Sequence, residues 1–135
     1  MSTQKNPFED MMRLAQDMVK NAQPAMETFS TKGFEDMWPT MPKDVMEMTF
    51  GNGLNKEGLD AKTRLLLTLA GLIMQGAQNE SQIRITVRHL KEADARDQEI
   101  IETIGHMSMF AGLPAMTRAM ELAKEVIEDK EEKET

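Results

Sequence analysis

The sequence predicts an all-α protein. Its apolar residues recur at spacings of three and four along almost every periodic segment, and no stretch alternates as a strand would. Helix punctuation agrees, with Asn, Asp and Pro where helices would begin and Gly where they would end. A chain of 135 residues suffices for one domain with a single core and is too short for two independent ones.

Asn6 opens the first helix as its cap, Pro7 suits the first helical position, and Glu9 sits where a capping box places its acid. Phe8, Met11, Met12, Ala15 and Val19 then share one apolar face. Pro24 predicts the end of this helix or the start of a short second one. Thr31 to Pro42 reads as an irregular loop punctuated by Gly33, Pro39 and Pro42, with Phe34 and Trp38 expected to anchor it on the main body. A short helix is expected from Lys43 to Phe50, stopped by Gly51-Asn52-Gly53.

Asp60 is a good N-cap for a helix over Ala61 to Ala77. After Arg64 that helix is apolar nearly all round, which predicts a buried central helix. Asn79 caps the next helix with Gln82 as its reciprocal partner, and Ile83, Val87 and Leu90 mark the inner face. Glu80–Arg84 and Arg88–Glu92 are each four apart and are expected to pair on the outside. Asp94 and Asp97 open a further helix with Ile100, Ile104, Met107 and Ala111 on one stripe. Gly112 ends it, and Pro114 begins the last helix, in which Met116, Met120, Ala123 and Ile127 repeat. The charge-dense stretch from Glu128 has no apolar face and is expected to fray. The chain thus divides into an N-terminal amphipathic helix and loop (1–43), a helical domain (44–128) and a charged tail (129–135).

Composition excludes whole classes of function. The absence of cysteine removes disulfides, thiolate metal sites, Fe–S clusters and any cysteine nucleophile. Two histidines argue against a histidine-rich zinc site. A formal charge of -7 opposes binding to nucleic acid or anionic lipid. The longest apolar stretch, Leu65 to Met74, is too short for a membrane span, and no basic-then-apolar leader opens the chain, so it reads as cytoplasmic. Fourteen Met with one Trp and no Tyr suggest a core packed by adaptable side chains.

Several pieces come in a recognisable order. Gly58-Leu59-Asp60-Ala61-Lys62-Thr63-Arg64 precedes Leu67-Thr68-Leu69-Ala70, and an acid-rich cap at Asp97 to Glu99 precedes Phe110-Ala111-Gly112-Leu113-Pro114-Ala115. From Asp44 to Ile127 the chain resembles the carboxymuconolactone decarboxylase family. The resemblance implies the alkylhydroperoxidase-D-like fold, an all-α bundle whose helical hairpin packs between subunits of a trimer or hexamer. The redox branch of that fold uses two cysteines, a His and an upstream Glu; the matching positions here are Asn79, Gln82, Thr86 and Leu65. The resemblance therefore points to the non-cysteine, decarboxylase branch. Members of that branch often carry His at the position of Thr86, which is not kept, and His or Gln where His106 stands, which is.

Glu102 and His106 are four residues apart on one helix, so they share a face, and a carboxylate that orients an imidazole is a usable general acid/base pair. The same spacing fits a structural helix pair or a histidine held inside a subunit interface. Arg84, Arg88 and Lys91 line one side of their helix, with His89 adjacent, and clustered guanidiniums can hold a substrate's carboxylates bidentately. A solvated stripe paired with Glu80 and Glu92 is the plainer account. Arg64 stands in a helix's first turn, where a cation opposes the dipole, which suggests an acid on another subunit or a substrate anion as its partner.

With the resemblance, these residues imply a cofactor-free lyase acting on a small carboxylated lactone from aromatic-compound breakdown. His106 would shuttle the proton, Glu102 would orient it, and Arg88 or Arg84 would hold a carboxylate, with no metal or bound cofactor required. Two other functions stay open. One is a non-catalytic oligomeric interaction protein that has lost the family site. The other is a peroxidase-like role by fold, which the absence of cysteine opposes.

Overall fold

Six helices and no strand make up the described residues of the structure, a computed structural model that describes 6–28 and 35–134, with side chains for 6–21 and 35–134. The helices are α1 (Pro7–Thr28), α2 (Lys43–Phe50), α3 (Ala61–Met74), α4 (Glu80–Glu92), α5 (Asp97–Ala111) and α6 (Leu113–Glu134). The last four form the body. α3 packs on α4 and α5, α6 packs on α4 and α5, and α2 leans on α3. Leu69, Ile73, Ile83, Val87, Leu90, Ile100 and Ile104 are fully buried where these helices meet, and α2 adds Met46.

The expected starts of these helices hold at atomic detail. Asn6 Oδ1 accepts from the Phe8 N–H at 3.1 Å. Asp60 Oδ1 accepts from the Thr63 N–H at 2.9 Å, and Asn79 Oδ1 from the Gln82 N–H at 3.2 Å. The Ala61 N–H is taken by a group that local sequence does not reveal, Glu47 Oε1 of α2, at 2.5 Å. The Gly51 and Gly53 N–H groups both donate to the Glu47 carbonyl, at 3.2 and 2.8 Å, and a Cβ at Gly51 would lie 2.7 Å from the Glu47 Cα. At α5, the Glu99 carboxylate reaches back to the Arg96 N–H at 3.1 Å, the acid half of a capping box.

The Thr63 hydrogen bonds hold the Asp60 carboxyl below its usual range. A lowered carboxylate pKa gives stability that is full above the unfolded value, near 3.8, and is lost as pH falls through the lower folded value. Asp60→Ala should therefore cost about 1 kcal/mol at neutral pH. Its deficit relative to the parent should shrink in acid unfolding scans below about pH 4, the ordinary carboxylate range. A deficit independent of pH would show that the carboxylate charge plays no part in the cap.

Several expectations need correction. The first helix runs on through Pro24 to Thr28, since proline's φ is helical and its missing N–H forfeits only one backbone bond. α3 ends at Met74, not Ala77, because Gly76 and Ala77 turn left-handed at φ 94° and 55°. The charged stretch is helical: α6 continues to Glu134, with good helix formers and the Asp129–Lys133 pair at 3.3 Å on its outer side. Finally, α3 is buried on one side only. Ala61, Leu65, Leu69 and Ile73 face the core, while Arg64, Leu67, Thr68, Gly71 and Met74 form an exposed face. Trp38 is also more open than expected at 55% exposure, and Phe34 lies outside the described residues.

Candidate functional site

α5 presents Glu102 and His106 to solvent on one side of an open groove that α3 completes with Leu66 and Ala70. Thr103 and Met107 form its floor, and Glu99 closes one end. The His106 ring tilts against Phe110, with centroids 5.8 Å apart. Glu102 accepts from Gln98 Nε2 at 3.1 Å. At the groove's end Glu99 also meets Lys62 at 3.1 Å. The Arg96 N–H and the Lys62 ammonium together hold the Glu99 carboxyl below its usual range.

Arg84 and Arg88 line a different hollow, a cavity of about 450 Å³ between α4, α6 and the segment around Glu35. Here the arginines already have protein partners. Arg84 Nη1 reaches the buried Glu35 carboxylate at 2.7 Å, its Nε reaches Glu125 at 3.2 Å, and Nη2 reaches Glu80 at 3.5 Å. Burial would lower the Arg84 pKa, but the hydrogen bond and charge of Glu35, with help from Glu125, overcome it and leave the group raised. Arg88 Nη2 donates to the backbone carbonyls of Trp38 at 2.6 Å and Glu35 at 3.3 Å, while its Nε is buried without a partner. The expected Arg88–Glu92 pair is thus replaced by a hold on the 35–38 backbone.

The rest of that face of α4 and its C-terminal turn acts alike. His89 Nδ1 donates to the Ile85 carbonyl at 2.8 Å, which leaves Nε2 to accept the Met41 N–H at 3.1 Å. Just past α4, Asp94 takes Lys43 Nζ at 2.7 Å. Arg84, Arg88 and His89, with the Lys43–Asp94 pair, therefore staple residues 35–43 across the helix, through contacts some fifty positions apart in sequence, while Lys91 pairs with Asp97 instead. Glu35→Gln should lower stability by about 1–2 kcal/mol in thermal unfolding, since it strips the nearest acid from a half-buried guanidinium that keeps two others. Unchanged melting would show the staple to be idle.

The four residues singled out from sequence fall into two pairs, each lining its own hollow; Glu102 takes its hydrogen bond from Gln98, not from His106. Among the described residues, no cluster of three or more His, Asp or Glu side chains is placed to hold a metal ion. No helix among them is long and apolar enough to cross a membrane. Sequence reasoning missed Glu35, Glu47 and the Lys62–Glu99 pair, whose partners are all remote in the chain.

Known proteins place this arrangement. The model of the carboxymuconolactone decarboxylase family matches residues 39–125, which include α2 to α5 and part of α6. The chain belongs to the carboxymuconolactone decarboxylase family. It is 48% identical over 125 residues, 93% of each chain, to an uncharacterized 15.0 kDa protein in the nqo9-nqo10 intergenic region of Paracoccus denitrificans. It is 34% identical over 85 residues to the 4-carboxymuconolactone decarboxylase of Acinetobacter baylyi, covering 63% of this chain and 62% of that protein. No solved structure matches the chain significantly. All of α1 lies outside what the carboxymuconolactone decarboxylase family model describes.

Proposed function

We propose that the protein is a cofactor-free lyase acting on a small carboxylated lactone, assembled as a trimer or hexamer, with the α3–α5 groove as its site. The observation that carries this reading is the placement of His106 and Glu102 on one groove with apolar walls, in a chain of the carboxymuconolactone decarboxylase family. In decarboxylation the bond to the carboxylate carbon breaks and CO₂ leaves. The electron pair passes into the double bond conjugated with the lactone carbonyl, and a proton is then delivered to carbon. His106 is the group on the groove suited to deliver it near neutral pH. Glu102 would steady its charged form.

Arg84 and Arg88 would have to surrender Glu35 and two backbone carbonyls to hold a substrate, and they face the other cavity. Lys62, through its pair with Glu99, brings a cation to the end of the groove itself. It is the better placed of the three to meet a carboxylate.

The second reading, an oligomeric protein without catalysis, is favoured by Thr86. This position matches the histidine of the decarboxylase branch, and here it is a buried threonine. Incubating the pure protein with 4-carboxymuconolactone and following CO₂ release decides between them. Enzyme-dependent release supports the lyase. Its absence across related carboxylated lactones leaves the scaffold.

A further inference from the structure

Among the described residues, nothing covers the apolar stripe of α1. Phe8, Met11, Met12, Leu14, Met18 and Val19 occupy an arc of less than half the helix, and every described side chain of α1 is exposed. Helices owe most of their stability in proteins to packing an apolar face, so a helix like α1 calls for a cover. The body offers a matching surface. The outward face of α3 is apolar or small at Leu67, Thr68, Gly71 and Met74, and a Cβ added at Gly71 would meet nothing within 4 Å. Gly71 between Leu67 and Met74 makes a notch into which a ridge of another helix can settle. The two surfaces match in length at 1.5 Å per residue: Phe8 to Val19 rises about 16 Å, and Arg64 to Met74 about 15 Å.

Charge selects the occupant. The polar side of α1 carries Glu9, Asp10 and Asp17 against Arg13 and Lys20, an acidic balance that suits no anionic membrane surface. Arg64 stands at the start of the α3 face. Among the described residues it forms no ion pair, and its Nε donates only to the Leu59 carbonyl at 3.1 Å. An acid of α1 laid along this face would supply the partner that a cation at a helix N-terminus lacks.

We propose that α1 of one copy docks along the outward face of α3 in a second copy, its stripe over Leu67, Gly71 and Met74 and an acid, Asp10 or Asp17, on Arg64. The contact joins two different surfaces, so it either repeats around a closed ring or is reciprocated in a dimer. It stands independently of the lactone reading and does not involve His106.

The absence of native cysteine makes the test direct. Met12→Cys and Gly71→Cys are made in separate chains carrying tags of different size, mixed, and oxidised. Each chain then holds one thiol, so any disulfide joins two copies, and it forms only where Cα atoms come within roughly 7 Å. The expected product is the mixed Met12–Gly71 disulfide, abolished when the Gly71→Cys chain also carries Leu67→Glu. Gly71→Glu alone should shift light-scattering mass toward 15.3 kDa with helical circular dichroism unchanged. Disulfides only between like variants would overturn the proposal, because they would show α1 on α1 or α3 on α3. So would no cross-link at all, or a parent protein that is monomeric at micromolar concentration.

Discussion

His106→Gln should cut decarboxylation by about 10²–10⁴-fold, the range contributed by a positioned general acid or base. Its melting temperature should stay at the parent value. The imidazole is exposed and its recorded contact is an open-faced one with Phe110, so glutamine leaves neither a cavity nor an orphaned buried donor. Glu102→Gln should lose less, because it removes charge near the imidazole while leaving the imidazole present. Steady-state turnover, melting and light scattering on the same preparations separate chemistry from structure. Full turnover in His106→Gln would remove the groove from the mechanism. A large fall in melting would make the histidine structural.

Leu69→Ala should lower stability by about 2–5 kcal/mol. For a chain of this length that is roughly 4 °C of melting temperature per kcal/mol, so the fall should reach about 8–20 °C. Leu69 is fully buried at the centre of α3, and truncation leaves a cavity that neighbouring helices cannot close without shifting. Leu67, two residues away, is 59% exposed in its own chain. Its truncation should cost the isolated body little and weaken only the assembly. The Leu67→Ala deficit should therefore fade as the protein is diluted, while that of Leu69→Ala persists. Deficits of equal size at all concentrations would mean that α3 is enclosed within one chain.

That contrast also marks what the sequence could disclose. Asp60, Asn79, Gly112 and the Ile83–Val87–Leu90 face are local signals, each legible within a few residues, and all appear as expected. The apolar run after Arg64 announced burial but not on which side, since a helix hydrophobic all round looks the same whether its cover comes from its own chain or another. Pro24 and the charged tail misled because a missing hydrogen bond or a missing apolar face lowers helix stability without forbidding helix. At the candidate site, the shared face of Glu102 and His106 followed from spacing alone. The work of Arg84 and Arg88 did not, because Glu35 and the Trp38 carbonyl reach them from fifty residues away, a distance no periodicity encodes.

The isolation of α1 bears on how the chain is made. Within this sequence α1 precedes the body, and among the described residues nothing covers its methionine-rich stripe. At roughly 5–20 residues per second, the hundred or so residues from the end of α1 to the end of α6 take on the order of 5–20 s. Through that interval the nascent helix offers itself to chaperones, or to the finished body of a chain released moments before from the same messenger. A polysome, which holds many such chains close together, would then be where this protein most readily finds its partners.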